Sequence, residues 1–260
     1  LFRSAMQMGE GTIGKNIDLY LQLKVKLSHM KLKQFILIAL LGLPIYSFAQ
    51  IDEEKIGSWY MYFFTADFKE SQFGVQGDIQ YRNWNLGGDL EQLLLRGAMS
   101  YRLPDKSAKF AFGYAHITSG AFGASNSTSS ESRIYQEVTV PQKMINGRLH
   151  LNHRFRYEQR FVETQDFRTR FRYNIFVNIP LNSKEIAKNT YYIALYNELF
   201  LNGEKEIGDG KMVELFDRNR AYMGLGYAIN EKIRMQAGYM NQATNTVSKG
   251  QLQFSLHQNF

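Results

Sequence analysis

The chain has 260 residues, enough to close a large sheet or bury a sizeable core, and no cysteine, which excludes a disulfide framework, a thiolate metal centre and a cysteine nucleophile. Its 19 Phe, 16 Tyr and 2 Trp stand beside only 4 Pro, a strand-favouring balance that also excludes a disordered chain. The formal charge of +7 is front-loaded: residues 1–49 hold six basic and two acidic side chains, the remainder is nearly balanced, and no nucleic-acid partner is expected.

From Met30 the chain reads MKLKQFILIALLGLPIYSFAQ. Two lysines precede an apolar stretch from Phe35 to Tyr46, and small residues at Ser47 and Ala49 precede Gln50. The stretch is too short for a spanning helix, and its charge and flanks are those of a secretory signal. Residues 30–49 therefore read as a cleavable signal peptide, and residues 1–29 as a start assigned too far upstream or an unstructured extension. Residues 50–260 form the exported part.

That part alternates with a period of two. Leu149, Leu151, Phe155, Tyr157 and Phe161 fall on one face, and His150, Asn152, Arg154, Arg156, Glu158 and Arg160 on the other. The same pattern sets Phe171, Tyr173, Ile175 and Val177 against Arg168, Arg170, Arg172 and Asn174, then Met223, Leu225 and Tyr227 against Arg220, Tyr222 and Gly224. Leu252, Phe254 and Leu256 oppose Gln251, Gln253 and Ser255 near the end. The segments are longer than those of a soluble sandwich, and they alternate an aromatic face with one of Arg, Asn, Gln and Gly. This predicts an all-β fold, an antiparallel transmembrane β-barrel with a lipid-facing exterior and a polar lumen.

Eleven segments begin near Ile56, Gln72, Leu90, Ala108, Arg133, Arg148, Phe167, Thr190, Arg218, Ile233 and Gln251. Because bacterial barrels usually have even strand numbers with both termini in the periplasm, ten to twelve strands are expected, with one split or missed between Ile56 and Leu103. Pro104 to Ser107, Asn146-Gly147 and Asn230-Glu231 read as tight periplasmic turns. Gly120 to Ser130 and Gly203 to Lys211 read as longer outer loops, the first small, polar and mobile. Phe260 closes the last strand as the aromatic read by the outer-membrane insertion machinery. The expected localisation is the outer membrane of a Gram-negative bacterium, with its lipids and that machinery as partners.

The runs RIYQEVTV at Arg133, HRFRYEQRF at His153, RFRYNIF at Arg170, YNELF at Tyr196 and DRNRAYMGLGY at Asp217 resemble a domain-of-unknown-function family of bacterial outer-membrane barrels. The likeness covers most of residues 56–260. It implies export, a barrel fold and the outer membrane, and assigns no catalytic or ligand-binding residue.

The chemically richest pattern is a charge ladder on the inward face: Arg133, Glu137, Arg154, Arg156, Glu158, Arg160, Arg168, Arg170, Arg172, Glu198, Arg218 and Arg220. A hairpin turn at Asn146-Gly147 sets Glu137 opposite Arg156, while Glu158 faces Arg170 or Arg172 and Glu198 reaches Arg172. One reading is structural, with guanidinium forks bridging carboxylates to fill a narrow interior. The other is an Arg-lined constriction or solute site for small anions, since three carboxylates cannot neutralise nine arginines.

A lipid-modifying enzyme is the alternative. It would need a serine beside a histidine base, and His116, His150, His153 and His257 lack the His-x-Ser spacing of outer-membrane lipases. Ser255 and His257 share a face in reversed order. His150 and His153 point oppositely, so neither a metal nor another cofactor is expected. Trp59, Tyr60, Tyr62, Phe64, Trp84, Tyr191 and Tyr192 read as interfacial girdles, with a carbohydrate-stacking platform as the alternative.

The signal reading makes a direct prediction. N-terminal sequencing of the membrane-extracted protein should return Gln50 or an adjacent residue, and an intact Met30 start would refute it.

Overall fold

The computed structural model describes residues 56–123 and 125–260. Residues 1–49, with the signal-peptide reading, lie outside the described residues.

Eleven strands follow one another: β1 (Gly57–Asp67), β2 (Phe73–Asn83), β3 (Leu90–Arg102), β4 (Lys109–Gly120), β5 (Thr128–Met144) and β6 (Leu149–Val162). They continue as β7 (Arg168–Pro180), β8 (Thr190–Asn202), β9 (Phe216–Ala228), β10 (Ile233–Ala243) and β11 (Ser248–Asn259). Each pairs with its sequence neighbours, and β1 pairs with β11 to close the barrel. No helix occurs among the described residues.

The count of eleven corrects the expectation that a strand was split or missed before Leu103. An odd number leaves the first and last strands pointing the same way, so closure must be parallel. It is, with Gly57 beside Gln251 and Thr65 beside Asn259. The Phe260 amide extends the seam, donating to the Thr65 carbonyl at 2.9 Å. β1 consequently starts at one rim and β11 ends at the other, contrary to the expectation of two termini on one side. The rim where β11 ends, here the lower rim, carries the turns 68–72, 103–108, 145–148, 181–189 and 229–232. The upper rim carries 84–89, 121–127, 163–167, 203–215 and 244–247.

β5 begins at Thr128, five residues before the expected start at Arg133, because its ladder with β4 runs on to the pair Gly120 and Thr128. Ser129 and Ser130 are thus strand residues. The β5–β6 register is the expected one, with Glu137 opposite Arg156. Ile145, Asn146 and Gly147 all take positive φ to make that turn, which a glycine at 147 eases.

Polarity is inverted relative to a water-soluble domain. Outward positions are exposed and apolar on nearly every strand, as at Tyr60, Ile79, Leu95, Phe112, Phe155, Phe171, Met223, Tyr239 and Phe254. Buried polar and charged side chains outnumber buried apolar ones among the described residues. Trp59 and Tyr192, expected in outer girdles, instead point inward and are 2% and 0% exposed. Alternation requires this, since their neighbours Tyr60 and Tyr191 face outward. Their inward space comes from glycine. A Cβ at Gly226 would strike the Tyr192 ring, and one at Gly224 would strike Tyr222, so these rings lie flat against the β9 wall.

The parallel seam is open to a direct check. Tyr60 and Phe254 are register partners with rings stacked at 5.6 Å. Tyr60→Cys with Phe254→Cys should oxidise to one intramolecular disulfide, because neighbouring strands lie about 4.8 Å apart and the chain has no other cysteine. An intervening twelfth strand would roughly double that separation and prevent the bond.

Candidate functional site

Alternation fixes which side chains enter the lumen, and the register fixes which of them meet. Glu158, from β6, is 1% exposed and lies at the centre. It accepts from Arg170 Nη2 and Arg172 Nη1, each at 2.6 Å, with Arg156 Nη1 at 3.7 Å and Arg133 Nη1 at 3.8 Å. Glu198, from β8, accepts from Arg172 Nη2 at 2.5 Å and Arg154 Nη2 at 2.8 Å, with Arg220 at 3.9 Å. Glu137, from β5, holds Arg156 Nη2 at 2.5 Å and faces Arg154 at 3.7 Å.

Three further carboxylates join them. Glu131 bridges Arg133 at 2.6 Å and Arg160 at 2.5 Å. Asp217 bridges Arg170 at 2.8 Å and Arg218 at 3.0 Å, and Asp78 takes Arg96 at 2.8 Å. The charge imbalance expected from three carboxylates and nine arginines is therefore smaller than the sequence reading held. Glu131 falls between the loop read at Gly120 to Ser130 and the strand start read at Arg133, although it shares the parity of Arg133 and Glu137. Asp78 and Arg96 follow from extending the alternation through β2 and β3. Asp217 sits beside the irregularity where β8 and β9 shift register, so alternation does not find it.

Two ladder residues stand apart. The side chain of Arg218 is 30% exposed near the upper rim. Arg168, opposite Arg160, is buried without an ion pair among the described residues, and its Nε lacks a hydrogen-bond partner.

Aromatic planes complete the packing. Arg170, Arg172 and Arg220 lie over Phe200 at 5.2, 4.5 and 4.7 Å, and Arg156 lies over Tyr135 at 4.3 Å. Arg82 stacks on Trp59 at 3.7 Å, and Trp59 Nε1 donates to Glu91 at 3.1 Å. Flat guanidinium faces suit such stacking while their edges keep the carboxylates. Together these groups form a packed plug of side chains around Glu158 inside the barrel.

Below the plug the lumen opens into a cavity of about 340 Å³. Half-buried Thr65, Thr139, Asn152, Asn178, Arg234 and His257, all near strand ends at the lower rim, line it, and Trp59, Tyr135, Arg156 and Arg220 belong to its floor. It is a cup facing the lower rim. Arg82, Arg96, Arg154, Arg156, Arg172, Arg220 and Arg234 line it, against Asp78, Glu137 and Glu198. Ser255 Oγ and His257 Nε2 are 3.0 Å apart in its wall, with the His257 ring stacked on Phe63 at 4.8 Å. That pair faces the lumen, while His153 faces outward and meets the Tyr173 hydroxyl at 2.8 Å.

At the lower rim the Lys143 ammonium donates to Glu185 at 2.8 Å, and this hydrogen bond lowers the Glu185 pKa. The contact is present at neutral pH and is lost as pH falls through the depressed value; being exposed, it adds little to stability.

A family model described as Protein of unknown function (DUF2490) matches residues 56–253. The chain belongs to this family. An uncharacterized protein of Methylorubrum extorquens is 27% identical over 190 residues, covering 68% of this chain and 77% of that protein. No solved structure matches.

Glu158→Gln removes the charge shared by Arg170 and Arg172 while keeping the side chain's shape. It should lower stability by about 3 to 5 kcal/mol, as expected on breaking a buried charge network. Urea midpoints of the folded barrel measure this, and an unchanged midpoint would show that the brace does not hold the fold.

Proposed function

We propose that this family member is an exported outer-membrane β-barrel of a Gram-negative bacterium, sealed at mid-lumen, serving as an envelope or solute-holding barrel and not as an open pore. The membrane part is supported by the polarity inversion. Exposed apolar side chains ring the barrel, and an apolar furrow of about 680 Å³ on the outer wall is lined by side chains such as Phe112, Val138, Phe155 and Phe171. In water this surface is unfavourable, whereas hydrocarbon solvates it and closure leaves no unpaired strand edge. The signal-like segment at Met30 agrees with export. On this reading the lower rim, with its turns, faces the periplasm.

The sealed part rests on one observation, the Glu158 cluster. Its guanidiniums and carboxylates are buried, mutually bonded and stacked on Phe200 and Tyr135, so they occupy the space that a conducting path would need. An eleven-strand barrel lies between the eight-strand case filled by side chains and the wide porins, and long arginines suffice to close it. A lipid-modifying role gains nothing from Ser255 and His257, which face the lumen and not the apolar exterior.

Planar-bilayer recording tests the seal. The wild-type protein should show no steady ohmic steps, and Glu158→Gln should introduce brief openings. Stable conductance in the wild type would refute a sealed barrel.

A further inference from the structure

We infer that the cup is a binding site for a small organic anion: a carboxylate, sulfonate or phosphate head on an apolar body, entering from the lower rim. The inference rests on the sealed-barrel reading, because the plug is what makes the cup a blind pocket.

Seven arginines and three carboxylates line the cup, and positive charge still exceeds negative when Glu158, which bonds Arg172 from behind the wall, is counted with them. Guanidinium groups do not shed protons to relieve this, and burying unbalanced charge is costly. A mobile anion admitted through the open rim supplies the balance, and the low-dielectric wall concentrates the field that draws it in.

Particular atoms are left free for it. Arg234 makes no ion pair among the described residues and sits near the mouth, opposite His257 in the β10–β11 register. Arg156, in the floor, is committed: Nε and Nη2 are held by Glu137 and Nη1 stands 3.7 Å from Glu158, so it adds positive charge there and no free donor. Arg154 is only partly buried and gives one Nη to Glu198. The cup thus offers guanidinium donors toward its mouth, above a floor of positive charge.

The walls call for an apolar body. Phe63 and Phe176, with Tyr196 and Tyr222, also line the cavity, and Phe63 is held flat by His257. A volume of about 340 Å³ holds about eleven waters at ~30 Å³ each, or a solute of roughly ten to fifteen non-hydrogen atoms. Inorganic anions would satisfy the charge and leave the aromatic wall wet. A one-ring organic anion satisfies both.

Benzoate and phenyl phosphate, titrated into the detergent-folded protein, should each give saturable heat and a change in Trp59 emission, with chloride competing and benzylammonium failing to bind. Arg234→Gln should weaken binding by about tenfold, the loss of one charge-assisted contact, whereas the exposed turn variant Lys106→Gln should not. Should Arg234→Gln fail to fold by heat-modifiable gel mobility, Arg154→Gln and the chloride competition carry the test. Saturation by only one of the two probes would support the site and name its head group. No saturation by about 10 mM for either probe, equal affinity for benzylammonium, or unchanged affinity in folded Arg234→Gln and Arg154→Gln would overturn the inference. Conductance of the same preparation keeps the two readings apart: ohmic steps with intact benzoate binding would sink the seal and keep the site, while a silent bilayer without binding would do the reverse.

Discussion

A carboxylate surrounded by guanidinium groups and removed from water is tolerable only while every partner stays in place, and Glu158 is in that position. Two arginines bond it at 2.6 Å and two more stand within 4 Å. Desolvating such a cluster costs several kcal/mol per ion, which the surrounding bonds offset only if geometry is kept. The strands supply that geometry: Glu158, Arg170 and Glu198 come from three consecutive strands whose backbone ladders fix their heights. The brace and the barrel are therefore mutually dependent. Shifting one strand by a single residue would turn its ladder residues outward and leave their partners unpaired.

The aromatic residues divide the work by parity. Those facing outward form the exposed apolar surface, while those facing inward give the arginines flat surfaces to rest on. Phe200 carries three guanidiniums and Trp59 carries Arg82 and Arg220. The small inward residues of β9 and β10 are the complement of this arrangement. Where Gly224, Gly226 and Gly238 leave the wall bare, Tyr192 and Tyr222 fold against it, keeping the lower half of the lumen open enough for the cup.

Much of the fold was legible because a strand has a strict period. Inward Arg154, Arg156, Glu158 and Arg160 could be read from parity alone, and one turn at Asn146-Gly147 fixed the pairing of Glu137 with Arg156. What was not legible depended on strand length and on irregularity. Small polar residues at Ser129 and Ser130 look like a loop, and only pairing with β4 makes them a strand, so Glu131 went unrecognised. Asp217 depends on a register shift that no periodic rule contains. The girdle assignment of Trp59 and Tyr192 failed because it weighed residue type above parity. The cup itself has no linear signature, since its lining comes from nearly every strand.

Strand parity also bears on how such a barrel can arise. Hairpins are gained or lost two strands at a time, so hairpin duplication alone never converts an even barrel into an odd one. Deriving eleven strands from an even-stranded barrel would take the gain or loss of an odd number of strands, and such a change carries one chain end from one rim to the other. The parallel β1–β11 seam is the geometric counterpart of that odd count. The same geometry forbids a circular permutant with a short linker, because joining the end of β11 to the start of β1 would need a connection as long as the barrel is tall.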